Sequence, residues 1–132
     1  MNTSIGNFSS DVIILILRLS IAALMLTHGL PKLSKLLAGG EIQFADPIGL
    51  GSNLSLVLVV FSEVVCSAFI AIGYKTKLAT LPLIFTMLVA AFIIHINDGI
   101  YKQEKAILYI LVYLSLLITG SGRFSIDYFK KK

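Results

Sequence analysis

Four stretches of this chain stay apolar long enough to cross hydrocarbon, and short polar segments separate them. The runs cover 12–30, 54–72, 78–96 and 104–119, each near the roughly 20 residues that one helical crossing needs. A chain in lipid must satisfy its backbone internally, so such runs become α-helices. The pattern predicts an all-α fold, an integral membrane four-helix bundle forming a single membrane domain over 1–132, with a polar tail at 120–132. The interruptions carry their own signals. Pro31, followed by Lys32 and Lys35, is expected to close the first span, because proline cannot continue a helix and lysine prefers the interface. Residues 31–53 hold Pro31, Pro47, Gly39, Gly40, Gly49, Gly51, Glu41 and Asp46 and read as a loop, with Phe44 and Ile48 at the interface. Gly73 followed by Tyr74-Lys75-Thr76-Lys77 predicts a tight hairpin between the second and third spans. Asn97-Asp98-Gly99 ends the third, and Gly120-Ser121-Gly122 stops the fourth.

Composition strengthens this picture. Hydrophobic residues make up 57% of the chain and charged residues 14%, against about 25% charged in a soluble domain. The first run has no preceding Lys or Arg and no small-residue cleavage signal, so it is expected to be a retained span and not a signal peptide. Basic residues set the expected orientation: Lys75, Lys77, Arg123 and Lys130 to Lys132 flank one side, and Lys32, Lys35, Lys102 and Lys105 the other. Six against four places both termini in the cytoplasm, with the protein multi-pass in the cell membrane. No basic stripe with interleaved aromatics lies outside the apolar runs, so a nucleic-acid partner is not expected. The single cysteine, Cys66, excludes an internal disulfide and any Cys-x-x-Cys site.

Candidate chemistry lies with the ionisable groups inside the runs, each costing about 2.5–3.5 kcal/mol at mid-helix unless it has a partner or a polar cavity. Arg18 sits in the first span and Glu63 in the second, and together they are expected to form an interhelical ion pair. His28 and His95 fall toward the same end of the first and third spans, where Glu104 opens the fourth. At 1.5 Å per residue the two imidazoles have similar depth. His28, Glu63, His95 and Glu104 are therefore a candidate polar pocket, able to bind a metal, relay protons or hydrogen-bond the carbonyls of a quinone. The spacing carries no local metal-ligand signature, so no metal site is assigned. Alternatively, the histidines are interfacial side chains bonded to loop carbonyls, and the ion pair only fixes helix packing. After the fourth span, Gly120 and Gly122 permit a sharp turn that would let Arg123 and Asp127 fold back on the bundle, with Asp127 capping a helix or pairing with Arg123 or Arg18.

These residues also resemble a known family. Arg18, His28-Gly29 followed by Lys32, Glu63, Gly73, His95, Glu104 and the string Gly120-Ser121-Gly122-Arg123-Phe124-Ser125-Ile126-Asp127 resemble the DoxX family of small membrane proteins. The resemblance runs from about Val12 to Asp127, and the terminal string, with Gly120, Gly122, Arg123, Ser125 and Asp127, is its most specific part. It implies a four-helix membrane protein related to the DoxD subunit of thiosulfate:quinone oxidoreductase, in a family linked to membrane redox and thiol-stress complexes. The chain departs from a dithiol enzyme in lacking a cysteine pair. Three function classes follow. The first is a membrane component of a redox system, coupling oxidation of a small sulfur compound to the quinone pool. The second is a non-catalytic membrane anchor or assembly partner of a soluble oxidoreductase. The third is a small transporter of protons or a weak acid, acting as a homo-oligomer with Arg18 and Glu63 as its path. The sequence holds no haem-ligand pair at helix spacing, no iron–sulfur cysteines and no dinucleotide fingerprint, so the expected electron carrier is the quinone or a partner subunit.

Overall fold

The computed structural model describes residues 3–40, 44 and 46–131, without the side chains of 3–7 and 131. Glu41 and Lys132 lie outside the described residues. Every regular element among the described residues is helical. α1 spans Thr3–Ala38, α2 spans Ser52–Ile72, α3 spans Thr76–Ile94, α4 spans Ile100–Thr119, and a short α5 spans Ile126–Lys131. Three helices, α1 to α3, are long and apolar enough to cross a membrane. α4 has 20 residues and opens on the polar stretch Lys102-Gln103-Glu104-Lys105.

The apolar runs became helices close to where they were expected, but α1 does not stop at Pro31. It continues two turns to Ala38 and ends where Gly39 and Gly40 take positive φ. Proline removes one backbone donor and crowds one carbonyl four residues back. Near the end of a long helix that local loss is tolerated, and the added turns hold Lys32 on the helix. α2 ends as its composition suggests, on Gly73 with φ 73°. A side chain there would be strained by the left-handed backbone and would overlap Ser125.

The helices surround a core built from Ile21 and Met25 on α1, Cys66 and Ile70 on α2, Leu83, Met87 and Ala91 on α3, and Tyr113 and Leu116 on α4. Outward-facing positions are also apolar: Ile13, Phe85, Leu108 and Ile118 are among many large hydrophobic residues that remain exposed. A helical molecule that is hydrophobic both inside and outside is built for lipid. α3 and α4 pack closely along their length, while α1 packs along α2. α2 carries a π-helical turn at Phe61–Cys66 and α3 another at Ala90–Ile94, closed by the bond from the His95 N–H to the Ala90 carbonyl at 2.9 Å. Such single-turn insertions recur at functional sites. The two ends of the bundle are chemically different. One end, the hairpin end, gathers the Gly73 turn and the C-terminal tail. The other, the loop end, gathers His28, His95 and the 39–51 loop.

Candidate functional site: a polar lock at one end and an open cavity at the other

At the hairpin end, Arg18 is 1% exposed. Its guanidinium donates through Nε to the Ile70 carbonyl at 3.0 Å and through Nη2 to the Ala71 carbonyl at 3.0 Å. Nη1 donates to the carbonyls of Ser121 at 2.7 Å and Phe124 at 2.8 Å. Ile70 and Ala71 close α2, where the last carbonyls lack intrahelical partners and the helix dipole is negative. A planar group with five donors in a fixed fork suits that cluster better than a lysine would. The expected ion pair between Arg18 and Glu63 is therefore not formed. Glu63 lies seven residues before Ile70, about 10 Å further along α2 at 1.5 Å per residue, and it takes a different partner.

The tail completes the lock. The Asp127 carboxylate accepts the backbone N–H of Lys75 at 2.7 Å and of Thr76 at 3.0 Å, and so caps the start of α3. The Asp127 N–H donates to the Gly73 carbonyl at 2.8 Å. Arg123 pairs with Asp11 on α1 at 2.6 Å, and neither Arg123 nor Arg18 is the hydrogen-bonding partner of Asp127. Burial pushes the Asp127 carboxyl up, but the N–H groups of Thr76 and Lys75 and the Ser121 and Thr76 hydroxyls outweigh it and hold the group below its ordinary value. A depressed carboxyl contributes stability that is full above its unfolded pKa of about 3.9 and is lost as the pH falls through the lower folded value. In detergent, wild-type protein is expected to lose thermal stability as the pH drops from about 5 to 3. Asp127→Asn should start about 1 kcal/mol less stable at neutral pH and lose less than wild type over that acid window, which a melting series followed by circular dichroism will check.

At the loop end a cavity of about 920 Å³ opens between the helices. Its walls include His28 and Lys32 from α1, Ser62 and Glu63 from α2, Thr86 and Ala90 from α3, His95 just beyond α3, and Lys105 and Tyr109 from α4. Phe44, Pro47, Ile48 and Leu50 of the loop also line it. Glu63 is 2% exposed and accepts Lys32 Nζ on both oxygens, at 2.9 and 3.0 Å. Gly29 permits this pairing: a Cβ there would stand 2.9 Å from Glu63 Cβ, so only glycine lets α1 approach α2 so closely. The His28 ring meets Tyr109 edge to face, with centroids 6.0 Å apart. Tyr109 in turn stacks on the buried Tyr113 at 6.1 Å. His95 Nδ1 lies 2.9 Å from Asp98 Oδ2, a contact that holds the Asp98 carboxyl below its usual range.

Of the four residues expected to share a pocket, His28, Glu63 and His95 line this cavity, whereas Glu104 is exposed and lies outside its lining. The reason is rotational. Lys102, Lys105, Ala106 and Tyr109 share the inward face of α4, and Glu104 is turned about 100° from Lys105. Sequence reasoning missed Lys105 and Tyr109 as lining residues and Lys32 as the partner of Glu63. The signal existed: Lys32 follows His28 by one turn, and Tyr109 follows Lys105 by one turn, so each pair shares a helix face.

No curated protein and no solved structure matches the chain. The DoxX family model matches residues 13–96, a stretch that contains Arg18, His28, Glu63, Gly73 and His95 and ends before Glu104 and the tail string. The match covers more than half of the 132 residues, and with its apolar helices the chain is a multi-pass membrane protein of the DoxX family.

Proposed function

We propose that the protein is a four-span component of a membrane redox system, and that the loop-end cavity receives the head group of a quinone. The observation that carries this reading is the convergence of His28, the Lys32–Glu63 pair and His95 on one cavity with otherwise mostly apolar walls. Small-molecule sites have this form, apolar with a few convergent polar groups. A neutral imidazole donates a hydrogen bond to a quinone carbonyl or accepts one from a quinol hydroxyl, and the paired ammonium and carboxylate exchange the accompanying protons. Reduction of the ring consumes two electrons and two protons. The electrons come from a small sulfur reductant through a partner oxidoreductase subunit. In this reading α4 is the fourth span, and the basic residues of the hairpin end keep both termini in the cytoplasm of a cell-membrane protein. The cavity then opens on the outer face.

The test is direct. Purified from its membrane, the wild-type protein is expected to carry extractable quinone. His28→Ala should weaken binding of added quinone about tenfold, the equivalent of one hydrogen bond of about 1.4 kcal/mol, while its melting temperature stays near that of wild type. An empty wild-type protein that also ignores added quinone would remove this reading and leave the membrane anchor for a soluble oxidoreductase in its place.

A further inference from the structure

The cavity has an opening in the side of the bundle. α2 and α3 leave the Gly73 turn together, and α3 packs against the Phe61–Ile72 portion of α2. Further along, the Ser52–Val60 portion of α2 makes its contacts with α1. The change of neighbour comes at the π-helical turn Phe61–Cys66, an irregularity of the kind at which helices bend. Four side chains mark the result. Leu58 and Phe61 on α2 and Phe85 and Ile94 on α3 line the cavity. They are also 45%, 48%, 57% and 42% exposed, and Leu58, Phe61 and Phe85 continue the exposed stripes of Leu54 and Val65 on α2 and of Leu81 and Leu88 on α3, residues that do not line the cavity. A residue that belongs to both the wall of a cavity and the outer surface borders an opening between them. All four are apolar, and all lie within helices long enough to cross a membrane, so the opening faces hydrocarbon.

Most of the ionisable groups of the lining stand on the other two helices. His28 and Lys32 belong to α1 and Tyr109 to α4, with Glu63 turned toward Lys32. At the loop end the cavity is bordered by Phe44, Pro47, Ile48 and Leu50, with Ile48 and Leu50 44% and 41% exposed, so it has a second opening there. That loop is tied down by Asp46, which accepts the N–H of Leu50 at 2.7 Å and of Gly51 at 2.9 Å. A volume of about 920 Å³ is near the top of the roughly 300–1,000 Å³ range of small-molecule sites. It leaves room beside a head group for the first part of a chain.

We propose that the gap between α2 and α3 is a lateral portal, through which an amphiphile with a hydrogen-bonding head and a single hydrocarbon tail enters from the bilayer. The head reaches the His28 and Lys32–Glu63 wall, and the tail stays between Leu58 and Phe61 on one side and Phe85 and Ile94 on the other. The inference rests on the reading that the cavity takes a head group, and adds the route and the requirement for a tail.

The full chain in phosphatidylcholine nanodiscs provides the test, with three probes: a tail-free benzoquinone, its decyl derivative, and a decyl derivative with a diazirine at the tail end. The photoactivated tail is expected to label the segments that contain Leu58, Phe61, Phe85 and Val89, a lining residue one turn beyond Phe85 on α3. Val89→Trp, which fills the gap from α3, should weaken the decyl probe by about tenfold or more and change the tail-free probe by less than about twofold. Label concentrated on the 44–50 loop would overturn the portal. So would an equal loss for both probes, or no loss for either. Binding of the tail-free probe alone would overturn the portal while leaving the head-group site standing. If wild-type protein binds neither probe, the head-group reading fails and the portal fails with it.

Discussion

Arg18→Ala is expected to destabilise the bundle by about 3–5 kcal/mol, because each buried acceptor left without its donor costs about 1–3 kcal/mol, and less where water can replace it. Four carbonyls, those of Ile70, Ala71, Ser121 and Phe124, lose their donor at once. The tail then keeps on α1 only peripheral contacts such as the Arg123–Asp11 pair and the edge-to-face Phe8–Phe124 contact, and an ion pair open to solvent on one side is worth about 1 kcal/mol. Arg18→Lys keeps the charge but not the planar fork, so an intermediate loss is expected. Reciprocal exchange, Arg18→Glu with Glu63→Arg, should rescue nothing, because the two residues serve different ends of the bundle. Unfolding followed in detergent, together with the yield of monodisperse protein, will measure all three. Rescue by the exchange, or an Arg18→Ala protein as stable as wild type, would contradict the lock described here.

The second large effect is expected at Lys32. Lys32→Ala leaves the carboxylate of Glu63, 2% exposed, without its counter-charge. A loss of about 2–3 kcal/mol follows, less than for a fully enclosed pair because Lys32 keeps contact with solvent. Lys32→Met with Glu63→Gln removes both charges at similar volume and should recover most of that loss, since two absent charges are cheaper than one unpaired charge. The double-mutant cycle isolates the pairing energy from packing. If Lys32→Ala melts with wild type, the pair adds nothing to stability and this assignment fails. Gly29→Ala gives an independent check on the same contact, because its methyl group drives α1 away from Glu63 without touching either charge.

The two predictions describe a division of labour between the ends of the molecule. At the hairpin end, Arg18, Asp127 and the Gly73 turn spend their hydrogen-bonding capacity largely on backbone groups that helix termini leave open, and none of the three lines the loop-end cavity. Their chemistry is structural. At the loop end, the polar groups of His28, Glu63, Lys32 and His95 face a cavity of ligand size. Function is therefore sought at the loop end, and the ionisable residue most deeply buried in the first helix, Arg18, is not part of it.

The sequence by itself determined the helices, the membrane and the stops. Length of apolar run, glycine at Gly73 and Gly120, and polar residues at the turns act locally, on a few neighbouring residues, and hydrocarbon leaves the polar backbone of an apolar run no alternative to the helix. The same local reasoning expected Pro31 to end α1, and it failed because one missing donor near a helix end is a small loss against two further turns. Partner choice was beyond it. Arg18 and Lys32 stand 14 residues apart on one helix, about 21 Å at 1.5 Å per residue, and either was a chemically acceptable partner for Glu63. Which of them meets Glu63 depends on how deep α2 sits against α1, and that depth is fixed by the close approach at Gly29 and by the α2 carbonyls that capture Arg18. The exclusion of Glu104 from the cavity has the same origin, since the rotation of α4 about its axis is set by Tyr109 and Tyr113 packing inward. Depth and rotation are relations between helices, and only the tertiary structure decides them.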